Sequence, residues 1–134
     1  GVMIHNGISM VNKENADVID PSEYNIIVRD YGSLSEHNKD DFLKSQVKVL
    51  VFGAKDWELG YSEDALQMIS EYKDIIFLFN FVDGNQYRQM IKYMPQRTCL
   101  RIPYEPDPFL VPKDKTNLEF FKELTDLCIG WVIF

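Results

Sequence analysis

Apolar residues in this chain fall into two kinds of segment that alternate along it. Tyr24 to Asp30 (YNIIVRD), Val47 to Gly53 (VKVLVFG), Asp74 to Asp83 (DIIFLFNFVD) and the start of Cys99 to Phe109 (CLRIPYEPDPF) are short runs bounded by turn residues. They lack the in–out alternation of a strand with one wetted face, so they predict strands buried on both sides. Between these runs the apolar spacing lengthens to that of a helix. Ala65, Leu66, Ile69 and Tyr72 predict a surface helix over Tyr61 to Lys73, with Ser62 as its N-cap and acids in the first turn. Tyr87, Met90, Ile91 and Met94 predict a second over Asn85 to Met94, ended by Pro95. Leu118, Phe121, Leu124, Thr125 and Cys128 form the stripe of a third, from about Asn117 to Cys128. From Tyr24 to Ile102 the order is strand, linker or short helix, strand, helix, strand, helix, strand. Such alternation implies crossovers, and hence a three-layer α/β fold with a mostly parallel sheet and helices on both faces. In the first twenty residues Val2 to His5 reads as a short strand and Glu14 to Ile19 as a helical turn. Gly130 to Phe134 (GWVIF) reads as an added edge strand or the stub of a longer chain.

Composition narrows this picture. At 134 residues and 15.7 kDa one α/β domain spanning 1–134 is expected, with 110–134 as a C-terminal helix and apolar tail. Hydrophobic residues at 46% and charged residues at 26% are ordinary for a globular chain, so extended disorder is not expected away from the ends. The net charge is −7 and the basic residues are scattered, which argues against nucleic-acid binding by this segment alone. Two cysteines, Cys99 and Cys128, and two histidines, His5 and His37, leave little from which to build a metal site. Both cysteines sit in apolar runs, where a free buried thiol is favoured over a disulfide and a reducing, cytoplasmic compartment follows. No run reaches the ~18 apolar residues of a membrane span, and no basic region precedes an apolar leader.

In an open parallel sheet, ligands bind beyond the carboxyl ends of the strands, which directs attention to Asn80 and to the turn from Pro103 to Asp107. The Asn80 carboxamide offers a donor and an acceptor, as the edge of a purine requires, and the flanking Phe79 and Phe81 are placed to wall a base. The alternative is an Asn that satisfies backbone groups at a strand end. Prolines at 103, 106 and 108 hold an extended loop that leaves carbonyls and carboxylates facing a ligand, or simply spaces two elements. Asp30 closes an apolar run, where its carboxylate would face a hydrated Mg²⁺ or form a turn. Asp56 belongs to a site or to a solvated loop. The chain has no G-x-x-x-x-G-K-[ST] loop, no G-x-G-x-x-G and no nucleophile elbow, and its seven glycines never cluster.

Taken in order, YNIIVRDYG, VKVLVFGAKDWEL, IIFLFNFVD and CLRIPYEPDPF resemble the C-terminal half of MinD/ParA-like ATPases, the deviant-Walker class of P-loop proteins. The resemblance covers roughly two thirds of the chain, Tyr24 to Phe109. It implies a P-loop NTPase-like sheet, with a flavodoxin-like one as the other option, in a bacterial, cytoplasmic protein. By resemblance Asp30 takes the metal-side position, Asn80 contacts the base, and Ile102-Pro103-Tyr104-Glu105 matches the I-P-x-D/E turn against base and ribose. Phe81 stands where the family often has a basic residue, Tyr31-Gly32 replaces its usual Thr-Pro, and the glycine-rich loop has no counterpart. The resemblance therefore implies an incomplete or degenerate nucleotide-binding domain, taking ATP or ADP with Mg²⁺ in the complete protein and hydrolysing none on its own. No catalytic residue is assigned. Its absence of a phosphate loop has two explanations, a portion cut from a longer ATPase or a degenerate relative, and the apolar end at Phe134 favours the first. The alternative function is a non-enzymatic receiver-like signalling or scaffold domain, although no lysine stands near Pro103 where a receiver requires one. A protein partner or homodimer is expected under either reading, with Trp57, Trp131, Phe120 and Phe121 as an interaction patch or as core.

Overall fold

A computed structural model describes residues 2–5, 7–104, 106, 107, 119 and 122–126. Its contacts divide into two compact units, Gly1–Asp30 and Tyr31–Phe134.

The first unit opens with a two-stranded antiparallel ribbon, β1 (Met3–His5) and β2 (Ile8–Met10), in which Ile4 faces Ser9 across the ladder. Gly7 takes φ +77° in the reversal, a region open to glycine at little cost. Two 3₁₀ turns follow. Asn12 caps the first, Lys13–Val18, by accepting the Asn15 N–H at 3.1 Å. Asp20 caps the second, Pro21–Glu23, where the Ser22 hydroxyl and N–H donate to its carboxylate and hold its pKa below the usual value. The expected helical turn at Glu14 to Ile19 is thus a 3₁₀ turn, and the expected strand at Val2 to His5 is β1. The expected strand at Tyr24 to Asp30 is not formed. This run belongs to no sheet, and its apolar side chains face solvent, Val28 being 87% exposed. A strand is made by a ladder partner as well as by β-branched residues, and the pattern here supplies only the residues.

The second unit is built on a parallel sheet of three strands, β3 (Lys48–Phe52), β4 (Ile75–Asn80) and β5 (Thr98–Ile102), in that order. Leu50, Phe77 and Cys99 lie abreast across the ladder, as do Phe52, Phe79 and Arg101. Among the described residues before Pro103, its α-helices are α1 (Lys39–Leu43), α2 (Asp56–Met68) and α3 (Gly84–Met90), the last running into a 3₁₀ turn, Ile91–Tyr93, before Pro95. Strands that advance steadily across a sheet through right-handed crossovers carry their helices on one face. The core agrees: Phe42 of α1, Ala65 of α2 and Tyr87 and Met90 of α3 meet Phe52, Ile75, Phe77 and Phe79. Phe77 is wholly buried, stacked on Phe52 at 5.5 Å. Each large side chain buried in this way contributes about 1.5–3 kcal/mol. By strand alternation the opposite face carries Val49, Val51, Ile76, Leu78, Leu100 and Ile102, and Ile76 and Leu78 are themselves buried.

Several polar contacts tie the layers together. Asn38 fills its carboxamide by donating to the Tyr31 and Ser33 carbonyls, both at 2.9 Å, and accepting the Ser35 N–H at 2.8 Å, which folds the loop before α1. Lys48 at the start of β3 donates to Asp74 at 2.7 Å, and that bond lowers the Asp74 pKa. Arg97 lies over the Phe77 ring and donates to the Ser70 and Tyr72 carbonyls, pinning the entry of β5 to the chain between α2 and β4.

Helix α2 begins earlier than its apolar spacing predicts, at Asp56 rather than Tyr61. The start is set by Glu58, whose carboxylate accepts the Lys55 N–H at 3.0 Å, and by Asp56, the other acid of the first turn. Ser62, expected as the N-cap, lies within the helix and donates its hydroxyl to the Glu58 carbonyl. Of the expected helix from Asn117 to Cys128, residues 119 and 122–126 are helical. The rest of it and Gly130 to Phe134 lie outside the described residues.

Candidate functional site

Three loops leave the carboxyl edge of the sheet. After β3, Gly53-Ala54-Lys55 leads into α2. After β4, Phe81-Val82-Asp83 leads into α3. After β5 comes the segment that begins at Pro103 and Tyr104.

The first loop is closed by its own capping. A Cβ on Gly53 would overlap the Glu58 carboxylate, so a residue without a side chain lets that carboxylate reach the Lys55 N–H. Lys55 Nζ stands 5.0 Å from the Trp57 ring centroid. Asp56, expected in a site or a solvated loop, is instead the exposed first residue of α2, where an acid suits the helix N-terminus.

The second and third loops are joined. Asn80 is the last residue of β4, half-buried, and pairs in register with Ile102, the last residue of β5. The Phe81 N–H extends that ladder by donating to the Ile102 carbonyl at 2.7 Å. The chain then turns sharply. Phe81 takes φ +57°, a left-handed conformation that is costly for a bulky side chain. Its ring is 55% exposed and meets Tyr104 edge to face, with centroids 5.6 Å apart. Val82 returns to the core, and its carbonyl accepts from Arg101 Nη1 at 3.4 Å. Asp83 caps α3, accepting the Gln86 N–H at 2.8 Å while Gln86 accepts the Asp83 N–H at 3.1 Å.

The structure therefore brings Asn80, Pro103 and Tyr104 to adjoining strand ends. Glu105 lies outside the described residues. Phe79, expected as a wall beside Asn80, is instead buried in the core at 2% exposure against Tyr87 and Phe52, because strand alternation turns it to the helical face. Asp30 ends the first unit on an exposed extended run and does not sit at a strand end. The described residues contain no group of three His, Cys, Asp or Glu side chains suited to a metal ion. Two features went unread in the sequence. Arg101 is visible there only as a lone charge in an apolar run, and the left-handed backbone at Phe81 leaves no sequence signal, since glycine or asparagine marks such positions.

Cys99 is a free thiol, half-buried, and burial pushes its pKa up. The Tyr87 hydroxyl donates to the Cys99 carbonyl at 2.8 Å, and burial raises the pKa of that phenol too. Neither group is poised as a nucleophile or base near neutral pH. No helix of the described residues is long and apolar enough to cross a membrane. Compared with protein-family models, curated proteins and solved structures, the chain matches none.

Proposed function

We propose that this chain is the base-binding portion of a MinD/ParA-like nucleotide-binding domain, taking ATP or ADP in a complete bacterial, cytoplasmic protein and hydrolysing neither by itself. One observation carries the reading: Asn80 and the Pro103 turn, distant in sequence, end neighbouring parallel strands in register. A half-buried Asn80 beside Pro103, whose ring fixes its own backbone angle, at a sheet's carboxyl edge suits the edge of a purine, which needs one donor and one acceptor. The three-layer architecture belongs to the same proposal. Burial of Ile76 and Leu78 on the face opposite α1, α2 and α3 supports a second covering layer. The metal-side role for Asp30 finds no strand-end geometry to support it.

Calorimetric titration of the chain with ATP and with ADP, each with Mg²⁺, tests the reading. Saturable binding that weakens at least tenfold in Asn80→Ala is expected. No heat at millimolar nucleotide, or equal binding by Asn80→Ala, overturns it. The second reading, a non-enzymatic scaffold domain that binds a protein partner or a second copy, is favoured by α2, where Trp57 is 71% and Tyr61 80% exposed. It gains if the nucleotide titration is silent and the molar mass rises with concentration.

A further inference from the structure

We propose that Phe81 is a stacking residue, holding with Tyr104 a platform for a planar heteroaromatic ring; the proposal rests on the nucleotide reading above and takes that ring to be the base. The argument begins with the backbone. A phenylalanine at φ +57° is held in a conformation that bulky residues avoid. Two contacts maintain it: the Phe81 N–H bonded to the Ile102 carbonyl on one side, and the Val82 carbonyl held by Arg101 on the other.

Phe81 is more than half exposed and is not among the residues packed on the core cluster, whereas the neighbouring Val82 is 1% exposed and anchors the loop. A costly backbone that displays an aromatic ring instead of burying it is accounted for by something the ring binds. The second observation is Tyr104, 71% exposed, whose ring meets Phe81 at 72° across 5.6 Å. In this T-shaped pair the edge of one ring fixes the other and leaves a π-face open to a third ring. Asn80, immediately before Phe81, supplies the in-plane hydrogen bonds that select a heteroaromatic ring over a plain hydrocarbon. Stacking tolerates any base, so the platform supplies affinity and Asn80 supplies choice.

The test compares Phe81→Gly and Tyr104→Leu with the unchanged chain, using ATP with Mg²⁺ and then adenosine as probes. Glycine keeps the left-handed turn and removes only the ring, so its urea midpoint should equal or exceed that of the unchanged chain. Affinity for both probes is expected to fall by roughly 5- to 150-fold, the range for losing one base–aromatic stack. Phe81→Tyr, which restores a ring, should recover most of the loss. If the unchanged chain binds ATP and both variants bind it within twofold, the platform is overturned and the nucleotide reading stands. If the unchanged chain binds neither probe, both fall together. A Phe81→Gly chain that loses binding and also unfolds at lower urea identifies the ring as structural and likewise overturns the platform.

Discussion

Gly53 and Glu58 provide a test in which one substitution should change sign with its background. The three nearest heavy atoms to a Cβ built on Gly53 all belong to the Glu58 carboxylate, and that carboxylate accepts the Lys55 N–H that opens α2. Gly53→Ala should therefore displace Glu58 and lose the cap, a cost of about 0.5–2 kcal/mol. Gly53 is not in the left-handed region, so alanine fits its backbone and restricts the unfolded chain, a gain of about 0.4–1 kcal/mol. In the native sequence the loss should prevail by a few tenths to about 1 kcal/mol. In a Glu58→Ala background the cap is already gone and the overlapping atoms are absent, so only the gain remains and Gly53→Ala should stabilise. The coupling energy across the cycle should be about 1–2 kcal/mol. Urea denaturation of the four proteins reads it directly. With m of about 1–3 kcal/mol/M for a chain of this size, the coupling corresponds to roughly 0.3–2 M in midpoint. Coupling below about 0.5 kcal/mol, with Gly53→Ala acting alike in both backgrounds, would refute the claim that Gly53 is there to admit the Glu58 cap.

Two further predictions concern the sheet. Asp74 has a lowered pKa because Lys48 donates to it, so its contribution is fully present above the unfolded carboxylate value and is lost as pH falls through the lower folded one. Asp74→Asn should cost about 1 kcal/mol near neutral pH, a value reduced because the Asp74 side chain is 47% exposed, and progressively less as pH falls below the unfolded carboxylate value; a cost that does not fall with pH refutes the linkage. Phe77→Ala removes a fully buried ring lying between Phe52 and Arg97 and should cost about 3–5 kcal/mol in urea unfolding, a large share of a typical stability of about 5–15 kcal/mol. A loss under about 1 kcal/mol would show that this ring is not at the centre of the core.

The exposed run from Tyr24 to Asp30 separates what the pattern carries from what the fold must add. Its residues are as strand-like as those of β3, and Val47 to Gly53 did become a strand. What differs is pairing: β3 has Ile75 to Phe79 alongside it in register, whereas Tyr24 to Asp30 is in no sheet. Helix α2 teaches the same lesson at its start. Apolar spacing located the buried Ala65 and, at the C-cap, Ile69, but said nothing of where the backbone first turns, because that is set by which polar group reaches an N–H.

The sequence by itself determined the parallel sheet's three strands, the helices between them and the approximate ends of α3, because apolar periodicity and turn residues act over a few neighbouring positions. It also placed Asn80 and Pro103 at strand ends, since residues that break apolar runs lie there. The tertiary structure alone decided that these two stand side by side, that α1, α2 and α3 share one core face, and that Phe79 is buried while Phe81 is displayed. Those outcomes depend on strand order, register and one left-handed residue, which arise from contacts between segments far apart along the chain.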